Sequence, residues 1–376
     1  MKKVYVVSGE PSGDLHASNL LKQLKTLYPD TISRGMGGDK LAEQGMELVQ
    51  HINETNFMGF VEVLKNLPKI YKIMKKIQND IKSWQPDLVI LVDYPGFNLR
   101  LAKFLKSINL PVVYYISPQI WAWKKNRIQQ IKKNIDYMLC ILPFEKDFYL
   151  KEGYQNVEYV GHPLMDEIED LIGKPNSLKQ ELKLNDKPII ALLPGSRKQE
   201  IRLMLSEMIK VIPTFPNYQF IVAAVPNITT DFYMKIIGKH KVKIIKNKTY
   251  ELLNIADAAL VTSGTATLET GLFGVPMVVC YKGNIFSYYI AKRLIHVKYI
   301  SLVNLILDKP VVKELIQHEC HADDMITALS PILHDKYHRE EIKQQLKLLR
   351  EKIGNKGASL KAAEIIGKKF LVNHLA

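Results

Sequence analysis

The chain has 376 residues, 47% hydrophobic and 24% charged, an ordinary globular composition that excludes a long disordered or low-complexity protein. That length fits two domains of ~100–200 residues better than one. The 52 Lys and Arg against 38 Asp and Glu leave a net charge of +14, which draws polyanions: nucleic acid, anionic lipid or phosphorylated substrates.

In chain order, Lys2-Lys3 and the apolar run 4–7 are cut short by Ser8-Gly9-Glu10, so no export signal is expected. No run reaches the ~18 apolar residues of a membrane span, and any membrane contact would be peripheral. Apolar runs closed by Gly, Pro or acidic residues follow at 4–8, 32–35, 88–93, 112–117, 137–142 and 157–161. Nearly continuous apolarity, as in Leu88-Val89-Ile90-Leu91-Val92, predicts parallel strands buried on both faces. Helical patterns at 17–27 and 99–108 complete a βαβ alternation. The second half repeats it, with strands expected at 189–193, 220–224, 242–245, 258–262, 277–281 and 299–302. A polar stretch from Gly173 through Lys187 reads as the linker. The expected division is an N-terminal domain over 1–172, a C-terminal domain over 187–345, and a Lys-rich helical segment over 346–376 that crosses back to the first. Cys140, Cys280 and Cys320 are odd in number and far apart, which points to a reducing compartment.

Open parallel sheets bind ligands outside the carboxyl ends of their strands. There the second half places Leu193-Pro194-Gly195-Ser196-Arg197, a glycine turn opening a helix, with a hydroxyl and a guanidinium to add to phosphate oxygens. A second such loop, Ser263-Gly264-Thr265-Ala266-Thr267-Leu268-Glu269, would converge on the same diphosphate. Its Thr265 and Ala266 N–H groups would face the phosphates, and Glu269 could accept both ribose hydroxyls. The plainer alternatives are a helix cap at Gly195–Ser196 and a first-turn charge at Glu269. No Gly-x-x-x-x-Gly-Lys-Ser/Thr loop is present, against a kinase or ATPase. His318, Cys320 and His321 lack the spacing and further ligands of a metal site.

The chain resembles the lipid-A-disaccharide synthase family. The resemblance spans nearly the whole length and rests on an ordered set of motifs: Ser8 to Asp14, Met58-Gly59-Phe60-Val61-Glu62-Val63-Leu64, Pro118 to Trp123, Leu142-Pro143-Phe144-Glu145, Gly161-His162-Pro163, Leu193 to Arg197, Ser263 to Glu269, Pro276 to Val279 and Ser301 to Leu305. It implies an α/β, GT-B glycosyltransferase fold: two Rossmann-like doubly wound parallel-sheet domains with a cleft between them, the second holding UDP. The implied reaction is an inverting, metal-independent transfer without cofactor. It joins UDP-2,3-diacylglucosamine to 2,3-diacylglucosamine 1-phosphate (lipid X), forms a β-1,6 bond and releases UDP.

An inverting displacement needs a general base beside the acceptor hydroxyl. Asp93, at the carboxyl end of the most apolar strand, is the expected base, and the family's proposed base aligns with it. Glu10 is its rival and His16 a weaker one, while a turn-forming Asp93 is the structural alternative. Ser12, Gly13 and Asp14 form a helix-opening loop expected to grip the acceptor phosphate or sugar. Asn304, Glu314 and Gln317 correspond to family positions near the donor.

Met58, Phe60, Val61, Leu64, Ile73, Met74 and Ile77, with Ile70, recur at near-helical spacing among Lys65, Lys69, Lys72, Lys75 and Lys76. The stripe is expected to lie in an anionic membrane surface, although a helix packed on its own domain would show the same pattern. Trp121 and Trp123 fit either core or interface. The lysines are dispersed and no RNA or DNA module is recognisable, so nucleic acid is not an expected partner. The expected location is the cytoplasmic, inner face of the inner membrane, with homodimer or monomer left open. The rival readings are a UDP-N-acetylglucosamine 2-epimerase or another UDP-sugar-dependent GT-B enzyme, and a basic non-catalytic module.

Overall fold

The computed structural model describes residues 1–54, 66–283, 293 and 297–372. The chain forms two compact units: Met1–Asp166 with the returning Lys356–Ala376, and Glu167–Asn355. Each is built on one parallel sheet.

The first unit holds seven strands: β1 (Lys2–Ser8), β2 (Thr31–Gly37), β3 (Glu47–His51), β4 (Leu88–Val92), β5 (Val112–Tyr115), β6 (Tyr137–Cys140) and β7 (Val157–Tyr159), in the order β3-β2-β1-β4-β5-β6-β7. The apolar runs of β1 and β4 bury both faces. Tyr5, Val7, Val89 and Leu91 pack with Ile73, Ile77, Leu101 and Ile131, while Val4, Val6, Leu88 and Ile90 pack with Leu20, Leu24, Ala362 and Ile366. The helices Leu67–Trp84, Pro95–Ser107 and Ile128–Asn134 thus cover one face, and Pro11–Leu27 with Ala358–Ile366 the other.

The second unit holds six strands: β8 (Ile189–Leu193), β9 (Gln219–Ala224), β10 (Lys243–Lys246), β11 (Ala258–Thr262), β12 (Met277–Tyr281) and β13 (Lys313–Ile316), in the order β10-β9-β8-β11-β12-β13. The predicted strand at 299–302 is absent: Ser301 instead caps the helix Leu302–Leu307, its side chain accepting from the Asn304 N–H. Strands β3 and β13 were not expected. Both lie at sheet edges and carry charged or polar residues (Glu47, Gln50, Lys313, Glu314), so they lack the apolar runs that reveal a strand covered on both faces.

The 173–187 stretch belongs to the second unit. Asn254 Oδ1 accepts from the Gly173 N–H at 2.8 Å, Asn176 Nδ2 donates to the Glu251 carbonyl at 3.1 Å, and Lys248 pairs with Glu181. The helix Lys336–Ile353 stays in that unit too, and the return to the first begins at Lys356. Asp166 anchors the returning segment, its carboxylate accepting from the N–H groups of Gly357, Ala358 and Ser359 at 2.6, 3.1 and 2.9 Å. Among the described residues, no helix is long and apolar enough to cross a membrane.

Candidate active site

In both sheets the strand order reverses at one point, between β1 and β4 in the first unit and between β8 and β11 in the second. Successive connections run away from such a point in opposite directions and leave room for a ligand beyond the strand ends. The loops at these four ends are those singled out in the sequence: 9–14 and 93–98 in the first unit, 194–197 and 263–264 in the second.

At the end of β4, Asp93 and Tyr94 both take left-handed conformations, with φ of 47° and 48°. For a non-glycine residue this costs roughly 1–2 kcal/mol, and Asp bears it better than the bulky Tyr. The Tyr94 ring lies against Gly9, where a Cβ would fall 2.2 Å from Tyr94 Cδ1; glycine at the end of β1 is what lets the two loops meet. Burial, reinforced by the Glu10 charge and opposed by a backbone hydrogen bond from Tyr94, pushes the Asp93 carboxyl up to about 6. Asp93 is half-buried. A carboxylate in this state binds a proton more readily than a solvated one yet is mostly ionised at neutral pH, the property wanted in a general base.

In the neighbouring loop, Ser12 is exposed at the start of the helix Pro11–Leu27, and Gly13 packs so tightly that a Cβ would lie 2.8 Å from Ser8 Oγ. The expectation for Asp14 is corrected. Its buried carboxylate accepts from the N–H groups of Gly38, Lys40 and Leu41 at 2.6, 3.1 and 3.4 Å. With both oxygens spent on the start of the helix Asp39–Glu43, Asp14 fastens two helices together and has no free face for a ligand.

The two glycine loops of the second unit do converge. Gly195, Ser196, Arg197, Ser263, Gly264, Thr265, Ala266 and Glu269 line one pocket of about 490 Å³, joined by Thr249 and Tyr281. Ser196 and Arg197 are exposed in it. Glu200, one turn into the helix Lys198–Met208, accepts from the N–H groups of Ser196 and Arg197, each at 3.3 Å, and from Arg197 Nη1 at 3.4 Å. An anionic group thus already meets the loop through the amides that a phosphate would use. Gly195 sits at φ 107°, and a Cβ there would come within 2.9 Å of Glu200 Oε2. Thr265 and Ala266 begin the helix Thr265–Leu272, where N–H groups lack intrahelical acceptors. Glu269 accepts from Tyr250 Oη at 3.1 Å, and burial raises its proton affinity.

A sequence profile described as Lipid-A-disaccharide synthetase matches residues 4–369. The chain is 38% identical over 371 residues to the lipid-A-disaccharide synthase of Myxococcus xanthus, covering 97% of this chain and 96% of that one, and 37% identical over 369 residues to that of Coxiella burnetii, covering 97% and 98%. The chain belongs to the lipid-A-disaccharide synthase family. Solved structures with a similar fold include an S. aureus MnaA–UDP complex (TM-score 0.68, 14% identity, 100% of this chain and 98% of that one). Another is a putative UDP-N-acetylglucosamine 2-epimerase from Listeria monocytogenes (TM-score 0.66, 13% identity, 99% and 97%). They place both units in the GT-B class of folds.

Three residues that the resemblance puts near the donor, Asn304, Glu314 and Gln317, do not line this pocket. Asn304 and Glu314 line a different depression of 690 Å³, along with Glu319, Asp324 and His338. Asn304 is buried, exchanging hydrogen bonds with the Val312 backbone, and Glu314 accepts from Asn304 Nδ2 and from the N–H groups of Ile300 and Ser301. This pair builds the turn before the helix Leu302–Leu307. Gln317, buried at φ 53°, accepts from the Gly283 N–H at 3.4 Å and is not among the residues lining the donor pocket.

The membrane stripe is corrected in part. Ile73, Met74 and Ile77 are buried in the core of the first unit, because the helix Leu67–Trp84 turns its apolar side to the sheet. Met58, Phe60, Val61 and Leu64 lie outside the described residues. The outer side of the helix carries Lys69, Lys72, Lys75 and Lys76 with exposed Tyr71.

Glu145 was quoted for its motif, but its role was not foreseen. Fully buried, with its carboxyl pushed up to about 7 by burial, it accepts from Trp121 Nε1 at 3.0 Å and from the N–H groups of Ile141 and Leu142. It thereby anchors the 118–123 loop and makes Trp121 a structural residue. Trp123 is 38% exposed, with Lys124 Nζ 4.3 Å and the Arg127 guanidinium 5.5 Å from its ring centre. Among the described residues, no group of three or more His, Cys, Asp or Glu is placed to hold a metal ion.

Proposed function

We propose that the chain catalyses an inverting transfer of the 2,3-diacylglucosaminyl group from UDP to the 6-hydroxyl of 2,3-diacylglucosamine 1-phosphate, giving the β-1,6-linked disaccharide 1-phosphate and UDP. Family membership makes it a glycosyltransferase of lipid A disaccharide formation; the residue roles are our reading. Asp93 takes the proton of the acceptor hydroxyl as its oxygen attacks the anomeric carbon, and the bond to the diphosphate breaks on the opposite face. The diphosphate charge is met by Arg197, the Ser196 hydroxyl and the first-turn amides at Thr265 and Ala266, with no metal ion or cofactor required. Glu269, whose other oxygen is not committed to Tyr250, receives the ribose. Ser12 and the Gly13 backbone take the acceptor.

The observation that carries this reading is the half-buried Asp93, its proton affinity raised beside Glu10 at the reversal point of the first sheet. Glu10 is half-buried at the start of the helix Pro11–Leu27 and serves to raise the proton affinity of Asp93. The acylated substrates reside in a bilayer, and we place the enzyme at the anionic inner face of the inner membrane. Lys69, Lys72, Lys75 and Lys76 around Tyr71, and Trp123 between Lys124 and Arg127, support that placement.

The test is incubation of purified protein with both acylated substrates, followed by mass spectrometry for disaccharide 1-phosphate and UDP. Absence of the disaccharide would reject the transferase. Epimerisation of UDP-N-acetylglucosamine supplied alone would favour the epimerase reading instead.

A further inference from the structure

We infer that Tyr114 and Asn98 are positioning residues for this reaction: together they clamp the main-chain carbonyl of Asp93 and hold the left-handed turn that directs its carboxylate. The inference rests on reading Asp93 as the base. The backbone of Asp93 is divided between two environments. Its N–H continues the sheet, donating to the Tyr115 carbonyl at 3.0 Å. Its carbonyl leaves the sheet, turned away by a φ of 47° at Asp93 and 48° at Tyr94.

Two side chains from different elements meet that one oxygen. Tyr114 Oη, from β5, donates at 2.6 Å, and Asn98 Nδ2, from the first turn of the helix Pro95–Ser107, donates at 2.7 Å. Asn98 Nδ2 also donates to the Val92 carbonyl at 3.1 Å, so it holds the peptides on both sides of the Asp93 Cα. Tyr114 and Asn98 are fully buried. A buried hydroxyl or amide is costly unless it is paired, and the carbonyl reaches these donors in the observed turn. Were Asp93 to relax to the right-handed or extended region, its carbonyl would rotate off both donors and its Cβ would swing with it.

Strained residues persist where their surroundings over-determine them. Here the over-determination has a chemical object, because the strained residue is the acid that must meet the acceptor hydroxyl. Tyr94, the second strained residue, is pinned independently by Gly9 on one side and by its stack on Phe97, at 5.7 Å between ring centres, on the other. The turn is therefore fixed at both residues, and the clamp acts on the one that bears the carboxylate.

The test is a double-mutant cycle between Tyr114→Phe and Asp93→Asn, read as disaccharide formation per folded enzyme, with UDP affinity measured by calorimetry. Tyr114→Phe preserves the ring and its packing. It should lower kcat by about 10- to 100-fold, the range for a misplaced catalytic group, and leave KM for the UDP-sugar and Kd for UDP within about twofold. In the Asp93→Asn background the same change should cost nothing further, because the group it positions is already gone. Normal kcat in folded Tyr114→Phe overturns the inference, as does an equal loss in both backgrounds, which would show that Tyr114 acts elsewhere. If Tyr114→Phe does not fold, Asn98→Ser, which retains the Tyr114 bond, carries the same cycle with the same two outcomes. If Asp93→Asn keeps wild-type turnover, the base assignment itself fails; if only the clamp variants do, the base stands and the clamp falls.

Discussion

The turn at Asp93 and the pocket of the second unit both occupy the reversal point of a parallel sheet, and they solve opposite problems. At Asp93 the surroundings are dense: two consecutive left-handed residues, a tyrosine ring on a glycine, and a carboxyl with raised proton affinity. In the pocket the groups are open, with Ser196, Arg197, Gly264 and Thr265 exposed. A base needs a tuned proton affinity and a fixed direction, which burial and constraint supply. A diphosphate site needs donors that can close on a hydrated, doubly charged group and let it go after reaction. On the proposed roles, one fold supplies a constrained base and an open electrostatic site.

The sharpest way to break this contrast is Asp93→Asn, which should lower kcat by at least ~10²-fold while leaving UDP affinity unchanged in a calorimetric titration. A parallel loss of UDP binding would mean that the two regions are not separable. Wild-type kcat/KM should also fall below about pH 6 as Asp93 takes up its proton, seen as an acidic limb in the pH–rate profile.

Arg197→Ala should act in the opposite sense, raising Kd for UDP by about tenfold, because a charge-assisted hydrogen bond contributes about 1.5–3 kcal/mol and a side chain 60% exposed sits at the low end of that range. An unchanged affinity would remove Arg197 from the diphosphate site. Gly195→Ala should be milder. A Cβ at φ 107° and 2.9 Å from Glu200 costs about 1 kcal/mol of folding stability, so Tm should drop by about 2–4 °C while Kd for UDP changes less than in Arg197→Ala. A wild-type Tm would show that the loop yields without strain.

The smallest expected effect is on stability. Asp93 holds its proton to higher pH in the folded chain than in the unfolded one, so the native state binds the extra proton between about pH 4 and pH 6. Stability contributed by this group therefore falls as pH rises through that window, and the penalty is fully present above it. Asp93→Asn should melt slightly higher than wild type at pH 7.5 and no higher at pH 4. A mutant equally stable or less stable at pH 7.5 would contradict the burial ascribed to this acid.

The loops at the reversal points were legible in the sequence because each carries unusual chemistry at a strand end: a glycine turn, a hydroxyl or guanidinium beside it, an acid closing an apolar run. Asp93, Arg197 and Glu269 were named on those grounds. What the sequence left undetermined has a different cause. An apolar stripe such as Ile73, Met74 and Ile77 shows that one side of a helix is buried, but not whether the covering surface is lipid or sheet. Asn304 and Glu314 were placed by resemblance, yet a polar side chain reveals nothing of its partners until the turn it builds is seen. Asp14 opens a helix as an anion-binding loop would, and only its distance to Gly38 and Lys40 shows that its carboxylate is spent.

By itself, the sequence determined that this is a two-unit, doubly wound α/β protein with glycine-turn loops at its strand ends, because continuous apolar runs, helix periodicity and glycine turns are local consequences of covalent structure and solvation. Tertiary structure alone decided which acids are free and which are committed, where the chain leaves the second unit to rejoin the first, and that Tyr114 and Asn98 meet on one carbonyl. Those depend on residues far apart in the chain arriving at one point, and hydrogen bonds over such separations leave no periodic trace in the order of amino acids.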